Sequence, residues 1–160
     1  KGVYNVKLKA FDNQGNEKTT SKTLHIYSAL QIKSLTLLQY PLKDKNGKDW
    51  DTSGLPDIYF KLIHQNGEAS WLDYRAKDIA PSELPYTFKD GFPVTLTNSN
   101  FKYELDFYDY DPVGQDEWMG GYYFYIKNWI NTSGSELPGK INFKNSDSEL
   151  KFELNVNWIL

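Results

Sequence analysis

The chain has 160 residues, a formal net charge of -3, no cysteine and 16% aromatic residues. This length suits one domain, or one domain with part of another, and can bury a core without metals or disulfides. The acidic balance argues against a nucleic-acid surface, which needs a basic face. The lack of cysteine excludes thiol catalysis, zinc–thiolate sites and disulfides, and no apolar run is long enough to cross a membrane.

The first predicted element is a β-hairpin. Residues 3–11 alternate apolar and polar side chains, which is the period of a half-buried strand. Asp12 to Asn16 form a predicted turn, and a second strand runs through Leu24 to Tyr27. A hairpin alone is marginally stable in water, so it either ends a neighbouring domain or packs on the unit that follows. We prefer the first alternative.

This hairpin resembles the end of a PKD domain, an immunoglobulin-like module of surface proteins. The matching residues are Gly2, Tyr4, Val6, Leu8, Ala10, Asp12, Gly15, Asn16 and Leu24. The resemblance implies a partial PKD-like domain at residues 1–28 and a second domain at 29–160. It also implies an exported bacterial protein, at the cell surface or in the periplasm. Any secretion signal or lipid anchor is expected upstream of Lys1.

The larger unit is predicted to be all-β. Its predicted strands cover residues 30–38, 58–63, 71–74, 103–107, 122–126 and 150–158. A long polar loop is expected between Pro41 and Pro56, irregular chain over residues 76–93, and a short helical turn near 127–131. Several short strands separated by regular turn signals favour an antiparallel β-sandwich of the eight-stranded type.

Acidic residues follow the alternating strand that begins at Tyr103. Side chains on a strand alternate between its faces, so Asp109 and Asp111 continue the inward row of Tyr103, Leu105 and Phe107. Two carboxylates on the same side repel each other unless a cation lies between them. The end of this strand is therefore a predicted cation site.

Further carboxylates occur in the same loop and in an earlier one. Asp116 or Glu117 follows Asp111, and Asp51 and Asp57 flank the earlier loop, six positions apart. Calcium takes six to eight oxygen ligands with tolerant geometry, whereas zinc and copper prefer histidine or cysteine. The residue types therefore favour calcium, although Asp, Asn and Gly are also ordinary turn residues.

These two loops resemble those of the C2 domain, a calcium-binding β-sandwich. Pro56 to Lys61 is similar to the segment after the first calcium loop, with Asp51 upstream, and Asp109 to Gly120 is similar to the third loop. The resemblance implies calcium ligands at Asp51, Asp57, Asp109, Asp111 and Asp116. Glu117 is an alternative to Asp116, because Asp116 lies one residue further from Gly120 than the family pattern expects. No lysine-rich lipid-binding strand is visible.

Two other interpretations stay open. Trp50 and Trp118 adjoin the acidic loops and could stack on sugar rings, which would make the chain a carbohydrate-binding module with structural calcium. A sandwich of the same fold without metal is the second alternative. No catalytic role is expected, because Asp109 and Asp111 are too alike to act as separate acid and base. The expected partner is a protein, glycan or lipid surface, and a fragment of this kind is expected to be monomeric.

Overall fold

A computed structural model describes residues 2–26, 29–51, 54–130, 137–144 and 149–159. The strands are β1 (Gly2–Phe11), β2 (Glu17–Ile26), β3 (Ala29–Gln39), β4 (Ile58–His64), β5 (Gly67–Ser70), β6 (Tyr86–Phe88), β7 (Val94–Leu96), β8 (Tyr103–Asp109), β9 (Glu117–Phe124), β10 (Lys140–Lys144) and β11 (Lys151–Ile159). One helical turn, α1, covers Lys127–Ile130, and two 3-10 turns cover Leu72–Tyr74 and Pro81–Glu83. The predicted all-β class is confirmed.

The N-terminal hairpin is a two-stranded sheet of its own. β1 and β2 pair antiparallel over their whole length, from Gly2 opposite Ile26 to Phe11 opposite Glu17. The Asp12 carboxylate accepts the backbone N–H groups of Gln14 and Asn16 and so fixes the turn. Apolar side chains on both faces remain exposed. The predicted hairpin is present, while Tyr27 and Ser28, at the predicted domain boundary, lie outside the described residues.

The first sheet of the sandwich is built around β3. Its strand order is β10-β11-β3-β6, and β7 also pairs with β3. Because β11 covers one edge of β3 over its whole length, β6 and β7 lie in succession along the other edge. These two short strands together fill one strand position. All pairings within this sheet are antiparallel.

The second sheet has the order β5-β4-β8-β9 and is also antiparallel. With β6 and β7 sharing a position, the described sandwich has eight strand positions. A bulge between β8 and β9 places Phe107 opposite Gly120 and Tyr108 opposite Trp118, so Met119 has no partner residue. Gly120 takes a φ of +137° at this bulge, a conformation that glycine adopts easily.

Aromatic rings fill the space between the sheets. The ring centroids of Phe107 on β8 and Phe152 on β11 are 4.9 Å apart. The Phe152 ring also stacks on Phe143 of β10, with 4.7 Å between the centroids. Phe60 on β4 stacks 4.5 Å from Trp71. The alternation of β8 places Tyr103, Leu105 and Phe107 in this core. Burial of each such side chain stabilises the folded state by about 1.5–3 kcal/mol.

Several predicted boundaries are wrong. The return strand expected at 71–74 is β5, at Gly67–Ser70, because the two-residue turn after His64 returns the chain immediately. The strand expected at 122–126 begins at Glu117, since the bulge at Met119 interrupts its alternation. The stretch at 76–93, expected to be irregular, contains β6. Neither β7 nor β10 is among the predicted strands. The helical turn is confirmed over 127–130, and Asn131 is not among the described residues.

No helix in the described part of the chain combines the length and apolar character needed to span a membrane.

Candidate functional site

Asp109 is the centre of the acidic end of the sandwich. It closes β8, where residues alternate between buried and half-buried, and its side chain is 0% exposed. Its Oδ1 accepts the backbone N–H of Asp57 at 2.7 Å, whereas Oδ2 has no hydrogen-bond partner. Burial, together with the negative charges of Asp51, Asp111 and Asp57, raises the pKa of Asp109 to about 7. A buried carboxylate of this kind requires either a proton or a cation.

Asp57 joins the earlier loop to β8. It lies just before β4, whose first residue, Ile58, is opposite Asp109 in the sheet. The Asp57 carboxylate accepts the backbone N–H of Asp78 at 2.8 Å through Oδ1 and Nε of Arg75 at 3.2 Å through Oδ2. The predicted proximity of Asp57 and Asp109 is thus present, and Asp57 already has a positively charged neighbour.

Asp51 and Asp111 complete the acidic surroundings. Burial raises the pKa of Asp51, and the nearby carboxylates of Asp111, Asp57 and Asp78 raise it further. Asp51 and Asp111 are both half-buried. Residues 52 and 53, between Asp51 and Gly54, lie outside the described residues. Electrostatic repulsion therefore links Asp51 and Asp109 to each other and to Asp57 and Asp111, while a calcium site at these four residues stays a prediction.

Asp116 accepts two hydrogen bonds that fix its loop. Its Oδ1 accepts the backbone N–H of Asp111 at 3.1 Å and its Oδ2 accepts the Tyr59 hydroxyl at 2.7 Å. Burial and the Asp116 carboxylate both raise the pKa of Tyr59. Both oxygens of Asp116 are engaged, so this residue fixes the loop that connects β8 to β9.

Glu117 is the first residue of β9. The bulge at Met119 puts Glu117 directly opposite Asp109, and residues directly opposite in an antiparallel pair project to the same face. The register therefore places Glu117, rather than Asp116, on the face of the sheet that carries Asp109.

Two residues of this site, Arg75 and Asp78, are not predicted from the sequence. Arg75 is the single arginine of the chain, and its guanidinium also lies over the Tyr110 ring, 4.3 Å from the centroid. Asp78 adopts a φ of +48°, and a Cβ added at Gly54 would lie 3.3 Å from its Oδ1. Asp78 belongs to the stretch at 76–93 that the sequence indicates to be irregular, whereas Arg75 lies just before it, after the strand predicted at 71–74. No motif marks either residue.

The two tryptophans proposed as sugar platforms differ in their surroundings. Trp50 is 8% exposed and belongs to the core, with its indole N–H donated to the carbonyl of Pro41 at 2.6 Å. A stacking role for Trp50 is therefore wrong, because its faces are covered. Trp118 is 60% exposed and, opposite Tyr108, projects from the outer face of the second sheet.

A small cavity adjoins the acidic group beneath the earlier loop. Its volume is about 80 Å³, and it is lined by Tyr40, Leu42, Asp49, Trp50, Asp51, Gly54, Leu55, Pro56 and Pro81. Asp51 and Asp49 are the carboxylates of this lining, and most of the other side chains are apolar.

The donor chemistry of the acidic group fits a hard cation. The donors are all carboxylate oxygens, and the unpartnered, fully buried Oδ2 of Asp109 is the kind of atom that a cation satisfies. Among the described residues, no three Asp, Glu or His side chains lie close enough together to form a preformed metal site.

Comparison with known proteins concerns the fold alone. No protein-family profile matches the chain, and no curated protein matches it. Among solved structures, human GIVD cytosolic phospholipase A2, in complex with methyl gamma-linolenyl fluorophosphonate, has a TM-score of 0.50 and 18% identity over 81% of this chain. The chain spans 17% of that phospholipase. A C2 domain of plant extended synaptotagmin 1 has a TM-score of 0.46 and 12% identity, over 84% of this chain and 97% of the domain.

Proposed function

We propose that this chain is a calcium-binding, non-catalytic interaction module with a C2-like sandwich, in which Asp51, Asp57, Asp109 and Asp111 hold the ion. Glu117 is the additional ligand that the register favours. The observation that carries the proposal is the unpartnered, fully buried Oδ2 of Asp109, surrounded by other carboxylates. When bound, calcium would supply the positive charge that this group lacks.

The module is proposed to act as a binding surface. Val113, between Asp111 and Asp116, is 92% exposed, and Leu55, between Asp51 and Asp57, is 39% exposed. Each acidic loop thus presents an apolar side chain next to its carboxylates, and exposed apolar groups of this kind are typical of contact sites. A partner would then bind only when the carboxylates are neutralised. The partner could be a protein, a glycan or a lipid surface, and liposome co-sedimentation with and without calcium tests the last of these.

The proposed location is the bacterial cell surface or periplasm. The support for this is the PKD-like pattern of the N-terminal hairpin, whose residues 4, 6, 8 and 10 alternate as that family's last strands do. Fractionation of cells expressing the native protein tests the location, and recovery in the cytoplasm would contradict it.

Isothermal titration of the purified chain with calcium, paired with thermal unfolding, tests the proposal. Saturable binding and a rise in Tm are expected, since a ligand that binds only the native state adds about 2.7 kcal/mol at 100 times its Kd. Asp109→Asn should abolish both effects. Absence of heat and of a Tm change at about 1 mM calcium, the weak end of known protein sites, would show that the sandwich works without metal.

A carbohydrate-binding role is the second candidate, because exposed aromatic side chains lie on the outer face of β9. Trp118 and Tyr123 are 60% and 64% exposed, and their cross-strand partners, Tyr108 and Glu104, place them on the same face. Aromatic rings of this kind can pack against sugar rings. A glycan screen tests this role, with loss of binding in Trp118→Ala and retention in Trp50→Phe as the expected pair of results.

A further inference from the structure

Arg75 is held beside the acidic group by its backbone. The next residue, Ala76, exchanges two hydrogen bonds of 2.8 Å with Ile58, which adds a short antiparallel bridge to the start of β4. The Arg75 N–H and its Nη1 both donate to the carbonyl of Leu72, at 3.3 and 3.2 Å. The position of this side chain is therefore fixed by the fold.

The guanidinium has two further contacts at the site. Its Nε donates to Oδ2 of Asp57 at 3.2 Å, and its Cζ lies 4.3 Å from the centroid of the Tyr110 ring. The side chains of Arg75 and Asp57 are 22% and 23% exposed, so the pair is shielded from much of the solvent. A planar guanidinium can form both contacts at once, which an ammonium group cannot do as well.

These contacts put a positive charge on Asp57, one of the proposed calcium ligands. Asp57 donates its backbone N–H to Asp109, and its Oδ2 accepts the hydrogen bond from Nε of Arg75. We propose that Arg75 is a tethered counter-cation, which stabilises the metal-free loops and competes with calcium for Asp57. This inference rests on the proposed calcium function and adds that the chain sets its own calcium threshold.

Competition predicts effects of opposite sign in one variant. Arg75→Gln removes the charge and keeps a side chain of similar length. The variant should be less stable in the presence of a chelator, because the carboxylates lose their neutralising partner. It should also bind calcium about two to five times more tightly, in line with the worth of a partly exposed ion pair. If Arg75 had a purely structural role, Arg75→Gln would lower both the stability and the calcium affinity.

Isothermal titration and chelated thermal unfolding of wild type, Arg75→Gln, Arg75→Lys and Lys77→Gln test the inference. Lys77 is exposed on the same segment, so Lys77→Gln makes the same charge change without the Asp57 contact. Its affinity should change by less than about twofold, as expected of screened surface charges. Arg75→Lys retains the cation and should lie between wild type and Arg75→Gln. In an Asp57→Asn background, Arg75→Gln should produce no gain in affinity.

The outcomes separate the two proposals. If wild type binds calcium and Arg75→Gln binds equally or more weakly, the counter-cation is refuted and the calcium function stands. If Arg75→Gln binds and wild type does not, competition is supported, and the calcium function of the wild-type chain fails. If neither binds, both are wrong.

Discussion

The backbone N–H of Asp57 donates a 2.7 Å hydrogen bond to Oδ1 of Asp109. This bond joins the two acidic loops through β4 and β8, which are neighbours in the second sheet. Arg75 adds an ion pair on the Asp57 carboxylate. The loop end is thus held together by contacts of the chain itself, while Oδ2 of Asp109 has no hydrogen-bond partner.

The raised pKa of Asp109 predicts a pH dependence of stability in the presence of a chelator. Its ordinary pKa is 3.8 and its value in the folded chain is about 7. Between these values the folded state retains a proton that the unfolded state releases, so the contribution of Asp109 falls as pH rises from about 4 to about 7. Chemical unfolding across this range measures the slope.

Asp109→Asn is the matched control for this slope. Asparagine retains an oxygen for the Asp57 N–H but cannot ionise, so the pH dependence between about 4 and 7 should become shallower. If wild type and Asp109→Asn have the same slope, the assignment of the raised pKa to Asp109 is contradicted.

Asp116 and Glu117 are predicted to have different roles. Tyr59→Phe removes the hydroxyl that donates to Asp116, and Asp116→Asn leaves one acceptor oxygen for the two donors that Asp116 accepts. Each variant should therefore cost about 1–3 kcal/mol of unfolding free energy. Glu117→Gln, by contrast, should leave stability within about 0.5 kcal/mol in chelator and weaken calcium binding severalfold. Urea unfolding and calorimetric titration of the three variants measure both quantities. A larger loss of calcium affinity in Asp116→Asn than in Glu117→Gln would reverse the assignment.

The hairpin is predicted to be independent of the sandwich. β1 and β2 form their own sheet, and Val6 and Leu8 are 54% and 66% exposed. A chain that begins at Ala29 should therefore unfold with a free energy within about 0.5 kcal/mol of the full chain and bind calcium equally well. Loss of cooperative unfolding in the shortened chain would show instead that the hairpin packs on the sandwich.

The sequence predicts the centre of the site because its signal is local. The two-residue period that buries Tyr103, Leu105 and Phe107 also buries Asp109, and that period is visible without a structure. The same reasoning predicts β3, β8 and β11 to within about two residues, since long alternating strands give the strongest pattern.

The sequence does not predict the contacts that depend on non-local pairing. Arg75 reaches Asp57 because Ala76 bridges to Ile58, eighteen positions earlier in the chain, and no periodicity encodes that bridge. The choice between Asp116 and Glu117 depends on a bulge, for which Gly120 is the one local signal. Trp50 is buried through the folded course of a long polar loop, although its sequence neighbours indicate an exposed position.

A residue-resolved calcium titration by NMR tests the central claim most directly. We predict saturable shifts of the backbone amides of Asp51, Asp57, Asp78, Asp109 and Asp111, with smaller changes elsewhere in the sandwich. The amide of Asp57 is the most informative, because it donates to the carboxylate proposed to bind the ion. Unchanged chemical shifts of these amides at about 1 mM calcium, with the fold intact, would contradict the account.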